Sequence, residues 1–121
     1  LHFFPPIKGI ISDGYNAALN HPYLDIATPS NTVVCDTLDG TVMQATWTDE
    51  AGFVIQIQHS NDLVSIYKHN SKLLKKAGDK VTAGTAIALT GNTGSITTGS
   101  HLHFELWHKG VAIDPSKYIK F

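Results

Sequence analysis

Short apolar runs, several alternating with polar residues and each bounded by Gly, Pro, Asn, Asp or Ser, recur along the chain. That is the pattern of a domain built from strands. "IKGIIS" (7–12), "TVVCD" (32–36), "GTVMQATW" (40–47) and "GFVIQIQH" (52–59) each predict a strand. In the last, Phe53, Ile55 and Ile57 alternate with Val54, Gln56 and Gln58, which predicts one buried and one partly solvated face. "LVSIYKH" (63–69) follows the turn residues Ser60, Asn61 and Asp62, so these two runs are expected to form a hairpin. "SKLLKKAGDKV" (71–81) opens like a helical turn that Gly78 and Asp79 cut short, and "VTAGTAIALTG" (81–91) reads as a small-residue turn into a strand. A Gly, Ser and Thr loop (91–100) leads into "HLHFELW" (101–107), and the closing run "GVAIDPSKYI" stops at Pro115. The prediction is one mainly β domain over 1–121, a small antiparallel sheet or sandwich.

Composition narrows the function more than the fold. At 121 residues the chain can bury a core without disulfides. Nine Lys and Arg against ten Asp and Glu give a net charge of −1, with no basic run, so no electrostatic footprint for nucleic acid exists. No apolar stretch approaches the length that spans a membrane. Cys35 is the one cysteine, which excludes an internal disulfide and a thiolate metal cluster. Its apolar setting, "NTVVCDT", predicts a buried, inert thiol.

The chemistry is concentrated in histidines. In an extended strand successive side chains point to opposite faces, so in "TGSHLHFELW" His101, His103 and Glu105 share one face and Leu102, Phe104 and Leu106 the other. With the apolar set in a core, two imidazoles look outward together and can serve as metal donors. "NHPYLDIATP" (20–29) offers a second set. Pro22 keeps His21 out of the helical region, so His21, Tyr23 and Asp25 are expected on one face and Leu24 and Ile26 on the core side. Two imidazoles and a carboxylate with a fourth position open form a catalytic zinc set. "SIYKHNS" places Ser65, Tyr67 and His69 on one strand face, with His69 available for proton handling. His2 and His108 are read as surface residues, and His59 as a strand-end histidine over the core.

The ordered set resembles the lysostaphin-type zinc metallopeptidases, peptidoglycan endopeptidases marked by an H-x-x-x-D and an H-x-H motif. "HPYLDIATPSNTVV" with the downstream "DGTV" resembles their first block, and "IYKHNSKLLKKAGDKVTAGTAIALTGNTGSITTGSHLHFELW" the long second one. The resemblance implies that His21, Asp25 and His103 bind one zinc ion and that His69 and His101 are the catalytic histidines. It implies an antiparallel β fold with a loop-walled groove, in which residues 91–100, Asn92 among them, form one substrate-binding wall. The family usually has glycine at the place of Tyr23; a tyrosine there is expected to narrow the groove or offer its hydroxyl to substrate.

The activity implied is zinc-dependent hydrolysis of peptide cross-links between peptidoglycan stem peptides, in the cell envelope, periplasmic or extracellular. Between a glycine bridge and a direct cross-link, the direct cross-link is preferred. The alternative within the family is a non-catalytic wall-binding or amidase-activating domain, against which all five motif residues stand intact.

Overall fold

The computed structural model describes residues 2–19, 21–94 and 99–121. In chain order its strands are β1 (Ile10–Asp13), β2 (Leu24–Ala27), β3 (Val33–Cys35), β4 (Gly40–Thr48), β5 (Gly52–His59) and β6 (Leu63–Asn70). They continue as β7 (Lys72–Leu73), β8 (Lys80–Val81), β9 (Ala86–Leu89), β10 (His101–His108) and β11 (Val111–Ile113). The larger sheet runs β1-β2-β10-β6-β5-β4-β8, with β11 also on β10, and the smaller runs β3-β9-β7. Every pairing is antiparallel. The predicted mainly β, antiparallel architecture is what the chain adopts.

β10 organises the larger sheet. One edge pairs with β6 from His103 to His108, and the other with β2 from His101 to Phe104 and with β11 from Leu106 to His108. Its period-2 pattern divides as predicted: Leu102, Phe104 and Leu106 are fully buried, in one cluster with Ile26, Ile55, Ile57 and Tyr67. Val34, Ile87 and Ala88 of the smaller sheet close that cluster from the other side. The burial of such aliphatic and aromatic side chains contributes roughly 1.5–3 kcal/mol each and drives the sandwich together. His103 and Glu105 are thereby held on the opposite face, over Asp25 and Ile66 of the neighbouring strands.

The predicted hairpin forms between β5 and β6, and its turn explains the Asn-Asp pair. Asn61 and Asp62 have φ of 59° and 58°, the left-handed values that a tight turn joining right-twisted strands requires. The helical turn expected at the start of 71–81 is absent. Ser71 N and Leu74 N donate to Leu89 O and Ile87 O, so the segment pairs with β9 as β7. Pro115 ends β11 as expected and opens a single 3-10 turn capped by Asp114. Cys35 is half-buried, and burial with the charge of Asp36 pushes its thiol pKa up, away from thiolate chemistry.

Candidate active site

A cleft of about 390 Å³ opens over the polar face of β2 and β10. It is lined by Asp13, His21, Tyr23, Asp25, Glu50, Ala51, Lys68, His69, His101 and His103. Six of these were expected from the sequence. Four segments deliver those six: the hairpin arm before β2, β2 itself, the end of β6, and β10.

His69 reaches the cleft by breaking its strand's alternation. Tyr67 and Ser65 point into the core and are fully buried, which corrects the expectation that Ser65, Tyr67 and His69 share a face. Four residues of β6, Tyr67 to Asn70, are taken up against the three of Phe53–Ile55 on β5, so Lys68 and His69 form a bulge opposite Val54, and His69 has φ of 62°. The left-handed residue turns the imidazole to the other face of the sheet. Asn70 holds the bulge from inside, donating from Nδ2 to Phe53 O and to Tyr67 O, both at 3.0 Å. The rings of His69 and His101 then stand 5.3 Å apart, and those of His69 and His103 5.7 Å.

Hydrogen bonds fix which nitrogen of each ring is available. His69 Nδ1 lies 2.8 Å from Thr93 O, and His101 Nδ1 lies 2.6 Å from Gly99 O. A carbonyl oxygen only accepts, so Nδ1 carries the proton in both and Nε2 of each neutral ring keeps its lone pair. Burial lowers the His69 pKa against the raising effect of the Thr93 bond, with His103 and His101 charges adding to the depression. The neutral form of His69 is therefore favoured at neutral pH.

His103 has the opposite tautomer. Its Nε2 donates to Glu105 Oε2 at 2.7 Å, which leaves Nδ1 facing Asp25 Oδ1 at 3.5 Å. Asp25 Oδ1 is also 3.5 Å from His101 Nε2. That oxygen is buried and has no hydrogen-bond partner, the signature of a group waiting for a cation or proton. Burial works to lower the His103 pKa, but the nearby Asp25 and Glu105 carboxylates outweigh it and raise it.

His21 is displaced from this convergence. Its Nδ1 is 3.1 Å from Asp13 Oδ2, and its ring stacks on Tyr23. Tyr23 in turn stacks on His103. The donor set has zinc chemistry, yet the side chains do not close on an ion as placed: among the described residues no group of three or more His, Cys, Asp or Glu is positioned to hold one.

Asn92 does not line the cleft; its Oδ1 accepts from Gly99 N at 3.2 Å and so ties the two described ends of the 91–100 loop. Residues 95–98 of the expected groove wall lie outside the described residues. His59 is buried as expected, and the surface reading of His2 is met. Asp13, Glu50 and Lys68 are cleft residues that the sequence did not single out. Asp13 is the β1 partner of Asp25 in the sheet register, and the Gly, Ser and Asp-rich pattern there carried no sign of it.

The chain matches Peptidase family M23 over residues 20–115, and it belongs to that family, the one its motifs resemble. It is 41% identical over 97 residues to the peptidoglycan DD-endopeptidase ShyA of Vibrio cholerae, covering 80% of this chain and 22% of that protein. It is 33% identical over 116 residues to the murein hydrolase activator NlpD of Escherichia coli, covering 94% and 30%. The crystal structure of a zinc containing peptidase from Vibrio cholerae matches with a TM-score of 0.83 at 33% identity, over 92% of this chain and 37% of that one. The chain spans under a third of the length of these curated relatives.

Proposed function

We propose that this domain hydrolyses peptide cross-links between the stem peptides of bacterial peptidoglycan, with zinc as its cofactor, in the cell envelope. The observation that carries the reading is the pair His69 and His101. Both rings are held by backbone carbonyls through Nδ1, and both present Nε2 to one cleft beside a buried, unpartnered Asp25 oxygen. Two such nitrogens suit peptide hydrolysis, which needs a proton removed from the attacking water and a donor for the developing oxyanion. His69 and His101 take these two roles. His21, Asp25 and His103 are assigned to zinc; their tautomers leave His21 Nε2, Asp25 Oδ1 and His103 Nδ1 as the donor atoms. Tyr23 contacts substrate from the cleft wall. The similarity to a peptidoglycan DD-endopeptidase supports a direct cross-link as the bond cut.

The second reading is a domain that activates another enzyme without turnover, as the similarity to a murein hydrolase activator suggests. Zinc-supplemented protein incubated with peptidoglycan sacculi, beside His69→Ala and His101→Ala, separates the two. New peptide termini at a cross-link, absent in both variants, are the expected result. Sacculi unchanged by the wild type would sink the peptidase and leave the activator.

A further inference from the structure

Tyr23 is the middle member of a three-ring stack. Its ring centroid is 5.2 Å from that of His21 with 20° between planes, and 4.3 Å from that of His103 with 28°. Both imidazole rings are thus engaged by the phenol ring between them in the contact chain. The His21 ring is also tied outward by Asp13 at 3.1 Å. On the inner side, His103 Nδ1 and the unpartnered Asp25 Oδ1 already face each other at 3.5 Å.

The placement follows from the chain itself. Tyr23 sits at the bend that leads into β2, two residues from His21 and two from Asp25, and all three line the same cleft. A large side chain at 23 therefore stands over the point where those two would meet. Its ring is half-buried and borders the open cleft, which gives it room to turn away.

We propose that Tyr23 competes internally for the metal position. Zinc is bound only when its ring leaves the stack and His21 closes on Asp25 and His103. This rests on zinc being the cofactor of the site. Removing the ring removes two aromatic contacts that metal binding has to break, which corresponds to roughly tenfold to hundredfold tighter zinc binding.

The test is zinc affinity by competition with a chromogenic chelator, on wild type, Tyr23→Ala, Tyr23→Phe and His103→Ala. A second measurement needs no variant: NMR of the His21 and His103 imidazoles, whose signals the Tyr23 ring current displaces. The expected result is tighter zinc in Tyr23→Ala, wild-type affinity in Tyr23→Phe, which keeps the ring, and loss of site-specific zinc in His103→Ala. In wild type, saturating zinc releases the ring-current shifts. Equal or weaker zinc in Tyr23→Ala, with His103→Ala still losing it, overturns the competition and leaves the zinc site standing. So do ring-current shifts that persist at saturation. Weakening in both Tyr23 variants makes the phenol oxygen a ligand and overturns it too. Zinc absent from wild type and Tyr23→Ala alike, or indifferent to His103→Ala, instead removes the zinc reading itself.

Discussion

His103 Nε2 donates to Glu105 Oε2 at 2.7 Å, and that bond decides which nitrogen of His103 faces Asp25. Glu105 is itself fixed, by Lys68 Nζ and Trp107 Nε1 at 2.8 Å each. Burial works to raise its pKa but is outweighed by the His103 and Lys68 hydrogen bonds, the Lys68 charge and Trp107, which bring it down to about 2.

Glu105→Ala should free the His103 ring and weaken zinc binding by roughly 10- to 100-fold, the usual cost of losing a partner behind a metal ligand. Stability carries a matching signature. The folded pKa lies below the unfolded one, so the contribution of Glu105 is present above about pH 4.5 and is lost as pH falls toward 2. Urea midpoints measured across that window should fall more steeply for wild type than for Glu105→Gln. Unchanged zinc affinity in Glu105→Ala would refute the positioning role.

Gly52→Ala should damage the site without replacing any of its side chains. Gly52 has φ of 67°, and a Cβ there would run into Thr93. Thr93 supplies the carbonyl that holds His69 Nδ1, and its Oγ1 donates to Asn70 O at 2.5 Å, inside the bulge. The substitution is therefore expected to cost on the order of 1–3 kcal/mol from backbone strain and displacement. Peptidase activity should fall by more than the loss of folded protein explains. Activity per folded molecule equal to wild type would show that Thr93 does not set the His69 ring.

The parts of this site visible in the sequence are those that a strict period of two dictates. Leu102, Phe104 and Leu106 had to share a face, so His101, His103 and Glu105 had to share the other, and Leu24 and Ile26 located Asp25 by the same rule. His69 escaped that rule because a bulge is a backbone event. Nothing in "IYKHN" announces a left-handed histidine, and the Asn70 side chain that stabilises it is known only once Phe53 O is alongside. The Tyr23 stack is invisible for a related reason: spacing sets the face, while ring placement depends on His103, eighty residues further along. The helical turn failed at 71–81 because unpaired backbone groups of β9 lay within reach and outbid a local preference.

A buried polar relay under the sheet makes Ser65 a stability residue. His59 Nδ1 donates to Asp39 O at 2.8 Å, so its Nε2 accepts from Ser65 Oγ at 2.7 Å. Ser65 Oγ in turn accepts from Tyr67 Oη at 2.8 Å, and Tyr67 Oη accepts from Thr37 N at 3.3 Å. Ser65→Ala strands a buried imidazole nitrogen and a buried phenol, at about 1–3 kcal/mol per orphaned group. Thermal unfolding should show a lowered midpoint, with zinc affinity unchanged because the relay lies on the core face. A midpoint equal to wild type would mean that water repairs the relay.

Asp36 gives stability a pH dependence that opposes that of Glu105. It is fully buried, its Oδ1 accepts from Leu38 N at 3.4 Å, and its Oδ2 has no hydrogen-bond partner. Burial pushes its pKa up to about 7, with the Asp39 charge adding and the Leu38 and Thr37 N–H groups opposing. Between about pH 4 and pH 7 the folded chain holds a proton here that the unfolded chain has lost, so this contribution weakens as pH rises through that window. Asp36→Asn removes the titration. Relative to wild type it should gain stability on going from pH 5 to pH 8, by a few kcal/mol at most. Urea unfolding at the two pH values reads the difference directly, and because the variant is compared with wild type at each pH, the histidines cancel. A stability gap between the two proteins that is the same at pH 5 and pH 8 would show that Asp36 is ionised in the fold, its charge satisfied by groups other than Leu38.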